Sequence, residues 1–97
     1  PVFKKARKQN NRVFLEFDHA EKGLILDNSL ESEFELAGED QIYHHALVEN
    51  HGTHLELTSL DVENPRFLRY AYSDTSHATL FNSEGLPASS FSSKIKN

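Results

Sequence analysis

The sequence predicts an all-β fold, a small antiparallel β-sandwich of seven to eight short strands. Three observations carry that expectation. Period-two alternation recurs in short segments rich in aromatic and β-branched residues. Asn, Gly and Pro interrupt those segments at ~8–12-residue intervals, the spacing of sandwich strands. No window shows an apolar stripe at the helical period of 3.6 residues.

Taken in order, Val2 and Phe3 open a strand that runs toward a turn at Asn10-Asn11. Arg12 to Asp18 alternates, with Val13, Leu15 and Phe17 on one face and Arg12, Glu16 and Asp18 on the other; Phe14 is the exception. Leu24 to Asp27 is a short apolar run after Gly23. Glu33 to Ala37 alternates again, placing Phe34 and Leu36 inward, and Gly38-Glu39-Asp40 turns the chain. Ile42 to Ser59 reads as one hairpin closed by His51-Gly52, with Val48 facing Leu55 and Glu49 facing His54. In that register Ala46, Val48, Leu55 and Leu57 share one apolar face, while Glu49, His54, Glu56, His45 and Thr58 share the other with Leu47. Asn64-Pro65 marks a turn. Arg66 to Ser73 is an aromatic strand with Leu68, Tyr70 and Tyr72 on one side and Phe67, Arg69 and Ala71 on the other; Ala78 to Phe81 is the last strand. Residues 1–91 are expected to form one domain, and the serine-rich residues 92–97 a flexible tail.

Composition narrows the function. The 97 residues carry a formal charge of −5, with 27% Leu, Ile, Val and Phe, enough for a thin core. Five of the ten basic residues lie in the first twelve positions, whereas 13–63 holds thirteen acids and only Lys22 as a base. Such an acidic body repels a phosphate backbone, so no nucleic-acid partner is expected, and the N-terminal lysines read as guards of an edge strand. No apolar run can cross a bilayer and no hydrophobic stretch follows the basic start, so neither membrane insertion nor a signal peptide is expected in these residues. There is no cysteine, which excludes disulfides and thiolate chemistry. The chain has no Met and starts at Pro1, and so reads as processed or as part of something longer.

Candidate chemistry is sparse. His45, His54, Glu49 and Glu56 share a hairpin face, but the expected register holds the two imidazoles about two residue pairs apart, too far for a compact zinc site. No metal and no cofactor is expected. Asp74 and His77 have the Asp-x-x-His spacing of a catalytic pair, yet no Gly-flanked serine nucleophile accompanies them, so no catalytic residue is assigned. Tyr43, Tyr70, Tyr72 and Phe81 offer a possible stacking platform for a glycan. Arg69, alone among bases in mid-strand, calls either for a carboxylate partner or for an exposed position.

The stretch from Asn64 through Asp74, and that from Thr79 through Phe91 with its Asn82-Ser83-Glu84-Gly85-Leu86-Pro87-Ala88-Ser89 run, resembles the C-terminal end of sialate O-acetylesterases. Phe17-Asp18-His19-Ala20 with Gly23-Leu24, Phe34 to Asp40, and the opening Pro1 to Lys5 are similar to earlier stretches of that family. Tyr72 stands where the family often has Trp, and Ser90 where it often has Pro. The resemblance implies a non-catalytic accessory domain that packs against an SGNH-type esterase domain of the same protein, in a periplasmic, secreted or lysosomal setting. It makes Arg69, Tyr70, Tyr72, Phe81, Asn82, Leu86 and Phe91 the expected contact residues, toward that domain or toward a glycan. Leu86, Pro87 and Phe91 each need apolar cover, from the domain's own surface or from the partner. The competing reading is an autonomous carbohydrate-binding module that uses surface aromatics.

Overall fold

The computed structural model describes residues 1–27, 32–71 and 77–96. The described residues form ten strands: β1 (Val2–Gln9), β2 (Arg12–Asp18), β3 (Leu24–Leu26), β4 (Phe34–Ala37), β5 (Tyr43–His45), β6 (Leu47–Asn50), β7 (His54–Thr58), β8 (Phe67–Tyr70), β9 (Leu80–Asn82) and β10 (Phe91–Lys94). Two four-stranded antiparallel sheets, ordered β1-β2-β7-β6 and β10-β8-β4-β5, enclose one apolar core, and β3 and β9 form a two-stranded ribbon. No helix of the described residues is long and apolar enough to cross a membrane. The sandwich expected from alternation is the observed architecture, with more and shorter strands.

Alternation becomes burial most directly in β2, where Val13, Leu15 and Phe17 enter the core and Arg12 and Asp18 stay in solvent. Phe34 and Leu36 of β4 do the same from the opposite sheet. The β1–β2 hairpin turns at Asn10-Asn11, and Asn10 takes a φ of 59°, a left-handed conformation that Asn tolerates better than most side chains.

The long hairpin expected over 42–59 is divided between the sheets. Tyr43–His45 pairs with β4, whereas Leu47–Asn50 pairs with β7. Ala46 is the crossing point; it is buried, its N–H donates to the Phe34 carbonyl at 3.0 Å, and its methyl leaves room for the chain to pass from one sheet to the other. The register also differs by two residues from the expected one, with Val48 opposite Leu57 and Asn50 opposite Leu55. Asn50 fixes the turn one residue further along, at Gly52-Thr53, where the His51 N–H donates to the His54 carbonyl at 3.0 Å. The Asn50 Oδ1 accepts from the Gly52 N–H at 2.8 Å, and its Nδ2 donates to the Leu24 carbonyl at 2.8 Å. A two-residue slip preserves the inward face, so Leu55 and Leu57 are buried as expected while every outward partner changes.

The expected flexible tail is also corrected. Residues 91–94 pair with β8, Phe91 opposite Tyr70 and Lys94 opposite Phe67. Ile95 is buried, and Lys96 bridges to β1 through Lys8 N–H and its own N–H to the Ala6 carbonyl. Phe91, Ser93 and Ile95 turn inward at period two while Ser92 and Lys94 are exposed, so the last strand closes a seam between the sheets.

Tyr70 organises the centre. Its ring lies 4.6 Å from Phe34 and 5.4 Å from Phe91, centroid to centroid. Its hydroxyl accepts from the backbone N–H of Thr79 at 2.8 Å and of Leu80 at 2.9 Å, both buried. Replacing Tyr70 by Phe would leave those two donors without a partner, at a cost of about 1–3 kcal/mol each before relaxation. Chemical denaturation of the Tyr70→Phe chain should therefore show a loss of about 2 kcal/mol or more; an unchanged midpoint would refute this role.

Candidate functional site

The structure disperses the residues expected to make contacts. Tyr70 is fully buried and takes part in no surface. Its strand carries Leu68 and Tyr70 inward, so Phe67 and Arg69 face out. Tyr72 and Asp74 lie outside the described residues; His77 is exposed. Tyr43 stands on the outer face of the β10-β8-β4-β5 sheet, and Phe81 stands on the ribbon. Tyr43, Tyr70 and Phe81 thus cannot share one stacking platform. Phe91 is half-buried, stacked on Phe3 at 4.5 Å and set edge-on to Phe17 at 5.9 Å, so it is covered by its own domain.

Arg69 has the carboxylate that a mid-strand base needs. β4 and β8 set Glu35 directly opposite it, and the guanidinium Nε donates to Glu35 Oε1 at 2.7 Å. The Arg69 Cζ also lies 3.9 Å from the centroid of the Tyr43 ring, a cation–π contact. This ladder organises a sheet face and leaves the head group committed within the domain.

Phe81, Asn82 and Leu86 do come together. In the ribbon Ile25 faces Phe81, and a further bridge joins Phe81 to Pro87. Asn82 builds the turn that follows: its Oδ1 accepts from the N–H groups of Glu84 at 3.0 Å and Leu86 at 2.9 Å, and its own N–H donates to the Leu86 carbonyl at 3.0 Å. The turn holds Leu86 in solvent, 59% exposed.

Two groupings escaped the sequence reading. The observed register puts Glu49 opposite Glu56, and His51 reaches both, its Nε2 3.0 Å from Glu56 Oε1 and 3.9 Å from Glu49 Oε2. One donor atom from each of the three lies within 4.8 Å of the others. Arg12 Nη1 approaches Glu56 Oε2 at 3.4 Å, so this largely buried carboxylate has a partner at each of its oxygens. On the same sheet face a cleft of about 530 Å³ is lined by Phe14, Glu16, Asp18, Glu21, His54 and Arg7 among others. Its acids outnumber its bases, and Phe14 and His54 stand 6.5 Å apart, ring to ring. The first grouping depends on the β6–β7 register, which a two-residue slip conceals, and the second on the pairing of β2 with β7, which joins segments far apart in sequence.

No family model matches the chain, and no curated protein matches it. Among solved structures it is similar to XAC1771, a novel carbohydrate acetylesterase from Xanthomonas citri, with a TM-score of 0.86 and 32% identity. The fold is similar to that of one segment of XAC1771. The match covers 96% of this chain and 22% of XAC1771, so the chain spans less than a quarter of that protein. The esterase side of the resemblance is met at the level of a carbohydrate acetylesterase.

A double-mutant cycle on Glu35→Ala and Arg69→Ala measures the ladder directly. The two side chains are about a third exposed, so the expected coupling is modest, about 0.5–1 kcal/mol. Strict additivity would mean that the pair contributes nothing.

Proposed function

We propose that the chain is a non-catalytic C-terminal accessory domain of a sialate O-acetylesterase-like carbohydrate esterase, and that it packs against and supports an SGNH-type catalytic domain. The parent protein would hydrolyse acetyl esters on sialic acid or on another glycan. The observation that carries this reading is the match to XAC1771, which takes in almost all of this chain and only 22% of the esterase. The disposition of polar groups agrees with it. Glu56 is held by Arg12 and His51, Glu35 by Arg69, and the Tyr70 hydroxyl by two backbone amides, so these groups serve the fold. The sialate type rests on the motifs between Asn64 and Phe91. The dispersal of Tyr43, Tyr70 and Phe81 gives the carbohydrate-binding alternative no common platform.

Two results test the reading. The purified 97-residue chain should leave acetylated sugars and a chromogenic acetyl ester intact. Turnover that disappears in Ser83→Ala or His77→Ala would overturn the reading. The uninterrupted reading frame containing these residues should carry a Gly-Gln-Ser-like block and a later Asp-x-x-His block upstream of Pro1. A frame without them would remove the proposed partner.

A further inference from the structure

We propose that the outer side of the β3–β9 ribbon, together with the turn at 82–87, is the surface on which the catalytic domain sits. This inference rests on the accessory-domain reading and names its contact surface. Leu24, Leu26 and Leu80 turn toward the core, which leaves the directly opposed pair Ile25 and Phe81 on the other side. That outward pair is apolar where an antiparallel ribbon in water normally carries polar residues. Ile25 is 49% exposed, and the Phe81–Pro87 bridge extends the same surface to the turn bearing Leu86.

The turn is built before any partner arrives. Asn82 contributes three hydrogen bonds to it, the Gly85 N–H donates to the Asn82 carbonyl at 3.0 Å, and Gly85 takes a φ of 83° that suits glycine. Leu86 is therefore displayed at a fixed place, and docking on it costs little conformational entropy. An apolar side chain held rigidly in water gains nothing for the isolated fold, whereas a covered one does. Among the described residues the other strongly exposed large apolar side chains, Val2, Ile42, Leu47 and Leu60, belong to other elements.

The occupant follows from length. The matched segment is 22% of the XAC1771 chain, so most of an esterase of that kind lies outside these residues, and an apolar face supplies the kind of interface that would hold it in place. A second copy of the chain is the competing occupant.

The experiment uses the protein expressed from the whole reading frame, with Ile25→Asp and Leu86→Asp as patch variants and Leu47→Asp and Leu60→Asp as controls. All four positions are exposed, so melting of the 97-residue chain should barely change. In the whole protein the patch variants should speed protease cleavage between this domain and the catalytic domain by about tenfold or more, the factor set by ~1.4 kcal/mol of lost docking, and the controls should not. Leu86→Asp, in a turn, keeps the test valid if Ile25→Asp disturbs the ribbon. Equal cleavage of patch variants and wild type overturns the proposal, as does equal acceleration by the controls; in the second case the domains still dock and only the surface is wrong. A concentration-dependent dimer of the 97-residue chain that Leu86→Asp dissolves, with cleavage of the whole protein unaffected, assigns the patch to a second copy and also overturns it. A reading frame with no catalytic block removes the accessory-domain reading before any variant is made.

Discussion

One phenolic oxygen ties the β3–β9 ribbon to the β10-β8-β4-β5 sheet. Tyr70 ends β8 in one sheet, its ring fills the space between Phe34 and Phe91, and its hydroxyl takes the amide protons that begin β9. Thr79 is fixed a second time, through its Oγ1 donating to the Ser32 carbonyl at 2.6 Å. β9 in turn holds β3, which is joined to the 50–52 loop by the Leu24 N–H to Gly52 carbonyl bond at 2.6 Å and by Asn50. A two-stranded ribbon is at best marginal alone. Here the Tyr70 hydroxyl and the buried Leu24 and Leu80 hold it in place, and its outer face is displayed as a consequence.

The functional reading follows from where the polar and apolar groups are used. Inside, the Tyr70 phenol is spent on two backbone donors. On the sheet faces carboxylates are held by basic side chains, Glu35 by Arg69 directly opposite and Glu56 by Arg12 and His51 from neighbouring positions. The ribbon differs, because its outer surface is apolar and rigid. A domain of this size has a thin core and little surface that it can leave unpaired. A stiff apolar patch suits a body that leans on a larger neighbour, the arrangement proposed above.

Much of this fold was legible in the residues. β2 can be bounded from Arg12 to Asp18 because every second side chain is apolar, and β4 yields Phe34 and Leu36 for the same reason. The hairpin register was not legible, since a slip of two residues leaves the apolar face unchanged and the Asn50 side chain decides between the alternatives. The last strand was hidden by serines, although Phe91 and Ile95 already stood an even number of positions apart. The alternation sets Tyr70 with Leu68 on one side of β8, but it does not say which side is the core. Arg69 does not decide it from sequence, because a mid-strand base is satisfied either by solvent or by a carboxylate such as Glu35. Of the expected contact residues, Phe81, Asn82 and Leu86 are brought together because one turn and one bridge join them. Arg69, Tyr70 and Phe91 are drawn elsewhere by Glu35, by backbone amides and by Phe3.

Hydroxyl-radical footprinting tests the central claim most directly, because it reads solvent access to individual side chains. Comparing the 97-residue chain with the whole protein, the account predicts that oxidation of Ile25, Phe81 and Leu86 is suppressed in the whole protein while that of Leu47 and Leu60 is unchanged. Equal oxidation of all five in both samples, or suppression confined to Leu47 and Leu60, would contradict it.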